Sequence, residues 1–172
     1  TIEVLDALKK HNLKPKAVLL THGHADHIGG VQGIVDAYDV PIYIHHNDVK
    51  YLSDPELNLS NYSNPTPITV KGRIIEVHEG DHITCGAIDL TVYETPGHTP
   101  GGVCYYMPGL VFVGDTLFNQ SVGRTDFVEG DYDALINAIK TKLYTLPDNT
   151  MVYPGHGPET QIGYEKQYNP FV

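Results

Sequence analysis

The residues of this chain that could do chemistry fall in short clusters of histidine and carboxylate. The densest is Thr21-His22-Gly23-His24-Ala25-Asp26-His27-Ile28-Gly29-Gly30, three imidazoles and one carboxylate within six residues. Nitrogen and oxygen donors packed this closely suit a divalent cation such as zinc, iron or manganese. In an extended segment residues two apart project to the same side, so His22 and His24 can converge on one ion. Asp26 and His27, beyond the turn at Gly23, can point toward a second. Three later segments each add one donor: His98 in Thr95-Pro96-Gly97-His98-Thr99-Pro100-Gly101-Gly102, Asp115 in Gly114-Asp115-Thr116, and His156 in Pro154-Gly155-His156-Gly157-Pro158. Seven such ligands are too many for one ion. With one shared carboxylate they fit two ions and leave a position between them for a water or hydroxide. Two ions roughly 3.5–4 Å apart create a nucleophile at neutral pH and stabilise a developing oxyanion, so the chemistry is hydrolytic. Asp26 or Asp115 orients the water and carries its proton. Arg124 is the cation available to an anionic substrate, with an ion pair to Asp126 or Glu129 as its competing use.

The elements that must hold these donors can be read from periodicity. Ile2, Leu5 and Leu8 recur at helical spacing from Thr1 to His11, with Lys9 and Lys10 near the end and Asn12 and Pro15 as the stop. Ala17-Val18-Leu19-Leu20 reads as a buried strand, and Val31, Ile34, Val35 and Tyr38 as one face of a helix, which puts the histidine cluster on a strand-to-helix loop. A strand at 40–44 completes a βαβ unit with a parallel strand pair. It ends at His45-His46, whose side chains point to opposite faces, and neither is assigned as a metal ligand. Asn, Ser and Pro enrichment from Asp54 to Pro67 reads as a long surface loop or lid. Strands are predicted at 73–77 and 88–93, and His78 and His82 read as surface histidines between or within the turns. Val103 to Tyr106 and Leu110 to Val113 form a hairpin that runs into Asp115. A helix from Tyr132 to Tyr144 has Asp131 as its N-cap, a strand at 151–153 leads to His156, and a polar tail closes the sequence.

At 172 residues with a net charge of −10, the composition fits one globular domain, residues 1–172. Nucleic acid is disfavoured as a partner, because phosphate recognition needs clustered Lys and Arg, and Arg73 and Arg124 are the sole arginines. No apolar stretch approaches membrane-spanning length, so no membrane partner is expected. Cys85 and Cys104 read as packed, reduced thiols, which points to the cytoplasm.

The ordered set H-x-H-x-D-H, G-H-T-P-G, G-D-T and P-G-H-G resembles the metallo-β-lactamase superfamily, over almost the whole chain. Gly114-Asp115-Thr116-Leu117-Phe118 with Gly123-Arg124-Thr125-Asp126, and Gly163-Tyr164-Glu165-Lys166 with Tyr168-Asn169-Pro170-Phe171, are similar to the short branch related to glyoxalase II, the hydroxyacylglutathione thioesterases. The resemblance implies an α+β fold, an αββα sandwich of two mixed sheets flanked by helices. It implies two divalent ions per chain, zinc foremost with iron and manganese as the other choices. His22, His24 and His98 would hold the first, Asp26, His27 and His156 the second, and Asp115 would bridge. The substrate implied is a small-molecule thioester of the S-acyl-glutathione type. A mononuclear iron persulfide dioxygenase, a lactonase and a non-catalytic metal-binding protein are the alternatives. Antibiotic-hydrolysing zinc members often carry a cysteine where Asp115 stands, which argues against β-lactam hydrolysis. The family also places strands before the first helix. Relative to it the first sheet is expected to be incomplete at the N-terminus, either extended by residues before Thr1 or completed through a homodimer or strand exchange.

Overall fold

A computed structural model describes residues 2–172; Thr1, where the first helix was predicted to begin, lies outside the described residues. The chain forms two compact units, one running to Glu76 and the other comprising Val77–Val172.

The first unit opens with α1 (Ile2–Lys10). Strand β1 (Val18–Leu19) follows and pairs in parallel with β2 (Ile42–His45), the arrangement expected of a βαβ unit. Between them lie a single helical turn α2 (Ala25–Ile28) and α3 (Val31–Tyr38). Helix α3 ends where Asp39 takes a left-handed conformation and donates its N–H to the Val35 carbonyl. Strand β3 (Ile74–Val77) completes a three-stranded sheet in the order β1-β2-β3. Leu20, Ile28, Val31, Ile42, Ile44, Leu52 and Val70 form the core, and each aliphatic side chain buried this way contributes about 1.5–3 kcal/mol.

Two expectations are corrected here. Asp26 and His27 stand on the turn of α2 rather than on an open loop. The segment 54–67 is largely exposed from Asn61 to Pro67, as a surface loop requires, but it is not loop throughout: it contains the helical turn α4 (Ser60–Ser63), and Asn58 and Ser60 are fully buried. The Asn58 amide donates to the carbonyls of Tyr51 and Ile68, which pins the segment to the 3-10 helix His46–Leu52. The polar composition divides in two: Asn58 and Ser60 serve buried hydrogen bonding, while Asn61, Tyr62 and Ser63 are exposed to solvent.

The second unit is built on a six-stranded mixed sheet comprising β4 (His82–Cys85), β5 (Ile88–Glu94), β6 (Val103–Met107), β7 (Leu110–Gly114), β10 (Met151–Pro154) and β11 (Thr160–Gln161). The spatial order is β11-β10-β7-β6-β5-β4. Pro108-Gly109 closes the tight turn between β6 and β7, and Gly109 takes the positive φ of 96° that such a turn requires. A small ribbon of β8 (Leu117–Phe118) and β9 (Ser121–Val122) follows Asp115.

Helix α5 (Tyr132–Thr141) begins where the Asp131 carboxylate accepts from the Ala134 N–H at 2.9 Å, as its predicted N-cap role requires. It stops three residues before Tyr144 and passes into a 3-10 turn over Leu143–Thr145. Leu135, Ile139 and Leu143 pack on Val111, Val113 and Val152 of the sheet. The closing segment is not a polar tail. It forms β11 and α6 (Ile162–Tyr168), which bury Ile162 and Glu165. The Glu165 carboxylate accepts from Thr160 Oγ1, the Gln120 N–H and the Asn169 amide, so its burial is compensated. Cys104 is buried as expected, whereas Cys85 is exposed at the end of the edge strand β4. Among the described residues no helix is long and apolar enough to cross a membrane.

Candidate metal centre

In the first unit the donors follow the end of β1. The backbone leaves the strand at Leu20, and His22 and His24 are both buried. Their rings lie 4.9 Å apart at 88°, and the ring of His22 is 4.0 Å from that of His27. Ligand atoms of His22 and His24 lie within 4.8 Å of one another, and so do those of Asp26 and His27. The Asp26 carboxylate is more than half exposed, and its Oδ2 lies 3.7 Å from His27 Nε2. The whole H-x-H-x-D-H run therefore converges within its unit. His45 is buried with Nδ1 accepting from the Asn47 N–H, and His46 is exposed.

In the second unit strand direction does the work. β10 runs parallel to β7, and β5 is antiparallel to β6, which is antiparallel to β7. Strands β5, β7 and β10 thus point the same way, and His98, Asp115 and His156 all follow their C-terminal ends. Oδ2 of Asp115 lies 3.5 Å from His98 Nε2 and 3.4 Å from His156 Nε2. These separations exceed a normal hydrogen bond. They match the edge of about 3.4 Å between two ligands held about 2.1 Å from one tetrahedral metal ion. The donor set fits a divalent cation on that ground: imidazole nitrogens and a carboxylate oxygen are held at ligand spacing.

Several local features fix these side chains. His98 Nδ1–H donates to the backbone carbonyl of Arg124 at 2.7 Å, which leaves Nε2 as the lone-pair nitrogen. Gly97 has φ 138°, and a Cβ there would sit 2.5 Å from the backbone N of Leu135. The hydroxyls of Thr95 and Thr116 meet at 3.0 Å and tie the His98 loop to the residue after Asp115. Gly123 lies against the same place, since a Cβ there would come within 1.7 Å of the Asp115 carbonyl oxygen.

The Arg124 guanidinium makes two hydrogen bonds to Asp126, at 2.9 and 2.8 Å, and lies 4.5 Å from the centre of the Phe127 ring. The ion pair weighed against substrate binding is therefore formed. His78 and His82 are exposed, as expected. Sequence reasoning missed the Arg124 carbonyl, because a main-chain acceptor carries no signature. It also missed Asp48, a wholly buried carboxylate that accepts the Gly23 N–H at 3.0 Å. No pattern around Asp48 distinguishes it from a solvated helix-start residue.

A family model described as Metallo-beta-lactamase superfamily matches residues 2–156. The chain belongs to the metallo-β-lactamase superfamily. Its α+β architecture is the metallo-β-lactamase fold. Among superfamily relatives, the chain is 40% identical over 167 residues to the "Probable metallo-hydrolase YqgX" of Bacillus subtilis, covering 96% of this chain and 79% of that protein. It is 34% identical to "Hydroxyacylglutathione hydrolase GloC" of Haemophilus influenzae, covering 98% and 81% respectively. Among solved structures, BLEG-1, described as a B3 metallo-beta-lactamase, matches with a TM-score of 0.92 and 41% identity over 98% of this chain and 82% of that one. TTHA1623 in a di-iron-bound form matches with a TM-score of 0.85 and 36% identity over 99% and 84%. The chain is thus a member of a metallo-hydrolase superfamily with histidine and aspartate clusters able to hold a metal.

Proposed function

We propose that His22, His24, Asp26, His27, His98, Asp115 and His156 form one dinuclear metal centre, and that the protein is a thioesterase acting on S-acyl-glutathione-type substrates. The observation that carries this reading is the shared oxygen. One atom, Asp115 Oδ2, stands at ligand spacing from two imidazole nitrogens, the disposition expected of a bridging carboxylate. His22, His24 and His98 would hold one ion and Asp26, His27 and His156 the other. When bound, two such ions supply a nucleophilic water at neutral pH and polarise the attacked carbonyl. The di-iron form of TTHA1623 supports a two-ion occupancy, and the kinship with GloC supports the thioester.

The chain's own residues then have separable tasks. His98 is held in one tautomer by the Arg124 carbonyl, so Nε2 is available as a donor without reorientation. Asp26, with its carboxylate exposed, accepts the proton of the attacking water. The Arg124 guanidinium, already paired with Asp126, contributes weakly to binding an anionic acyl thioester.

The test joins metal content to turnover. Elemental analysis of protein purified without added metal should give two divalent ions per chain, and S-lactoylglutathione should be hydrolysed faster than lactones, penicillins or phosphodiesters. One iron per chain would instead support a persulfide dioxygenase. The likeness to BLEG-1 gives β-lactam hydrolysis standing as a second reading, and a clear preference for penicillin would establish it over the thioesterase.

A further inference from the structure

Asp48 is charged at neutral pH in free solution, yet it is completely buried. Burying a carboxylate costs several kcal/mol unless hydrogen bonds compensate it. One of its partners is 25 residues away in sequence: Oδ2 accepts the N–H of Gly23, the residue between His22 and His24. The same 3-10 helix, His46–Leu52, supplies Tyr51, which is 1% exposed. A Cβ at Gly23 would lie 2.4 Å from Tyr51 Cβ and 3.4 Å from the Asp48 carbonyl oxygen, so the loop backbone is pressed onto that helix. The Tyr51 ring in turn meets the His24 ring edge-on at 5.8 Å. The amide, the Cα and one imidazole of the H-x-H run are therefore all held by two residues of one short helix.

We infer that Asp48 is a positioning residue for the metal centre: it fixes the peptide at Gly23 so that His22 and His24 are set at donor spacing before any ion arrives. The inference rests on the proposed metal centre, but it concerns metal affinity and not the substrate. Without the anchor, the loop must be ordered when the ion binds, and that entropy is subtracted from affinity. Groups that orient metal ligands typically govern affinity by roughly 10–100-fold.

The experiment measures zinc affinity of metal-free protein by competition with a chromophoric chelator, for wild type, Asp48→Ala and Asp48→Asn. Asparagine keeps an acceptor oxygen, so Asp48→Asn should stay within about threefold of wild type, whereas Asp48→Ala should weaken binding by on the order of 10–100-fold. Leu143→Ala, a core truncation in the other unit, controls for general destabilisation and should leave affinity unchanged. A second measurement needs no variant: in metal-free wild type the Gly23 amide should exchange at least about 100-fold more slowly than an open-loop amide. Unaltered affinity in Asp48→Ala, equal losses in both Asp48 variants, or an unprotected Gly23 amide would overturn the inference. Absence of thioesterase activity would defeat the proposed substrate and leave this result intact. If wild type bound no zinc, the proposed centre would fail, and the Gly23 exchange rate would still decide whether Asp48 holds the loop.

Discussion

The imidazole of His98 is oriented by the main chain of Arg124, through a 2.7 Å hydrogen bond from Nδ1–H to the backbone carbonyl. The side chain of the same arginine is turned to Asp126 and Phe127. One residue thus serves two purposes that mutation can separate. Arg124→Ala should keep full metal content, because the carbonyl remains. It should leave stability almost unchanged, because solvent screens an ion pair as exposed as this one. Elemental analysis and thermal melts check both, and loss of metal in Arg124→Ala would contradict the main-chain assignment.

Asp115 is the carboxylate whose loss should be most damaging. Asp115→Ala removes the oxygen that faces both His98 and His156. Metal content should fall below one ion per chain and hydrolysis by at least about 100-fold, a conservative figure for a proposed ligand, since losing a group that only orients ligands already costs about 10–100-fold. His78→Ala and His82→Ala, at exposed positions, should alter neither quantity.

Gly123 is predicted to be irreplaceable for steric reasons. An alanine methyl would sit 1.7 Å from the Asp115 carbonyl oxygen, so the backbone must move. Overpacking of this kind costs typically about 1–3 kcal/mol. Gly123→Ala should lower the melting temperature and weaken metal retention together. Gly109→Ala is the comparison, since its Cβ would meet open space and only the turn conformation opposes it.

The two thiols should behave differently. Cys85 is exposed and Cys104 buried, so native protein should react with one equivalent of a thiol reagent and denatured protein with two. Burial pushes the Cys104 thiol from its ordinary 9.0 up to about 11, although hydrogen bonds from Thr95 and Thr116 work against the shift. The folded chain therefore keeps this proton where the unfolded chain releases it. That contribution to stability is complete below about pH 9 and is lost as the pH rises toward about 11. Melts between pH 8 and 11 should show a steeper decline for wild type than for Cys104→Ala.

Much of this was legible in the sequence because glycine and proline flank the donors and short apolar runs precede them. The runs at 17–20, 110–113 and 151–153 gave strands, and the donors followed their ends. The helix at 31–38 was marked by Val31, Ile34 and Val35. What escaped was polar burial. Asn58, Ser60, Asp48 and Glu165 are each buried with a hydrogen bond to a group 5 to 45 residues away, and no local pattern announces such a partner. Cys85 escaped for the opposite reason: it sits at the end of an edge strand, and sheet order is not a local property.

That edge position has a practical side. Cys85 and the turn that follows it adjoin the start of β5, whereas His98 comes after its end. A seven-residue strand spans roughly 20 Å at about 3.3 Å per residue, so the thiol and His98 are set at opposite margins of the sheet. A fluorophore, spin label or surface tether coupled to Cys85 would occupy one margin while His98, Asp115 and His156 keep the other. The native sequence thus already carries a site-selective handle for watching metal binding or for immobilising the protein with its donor side facing solution.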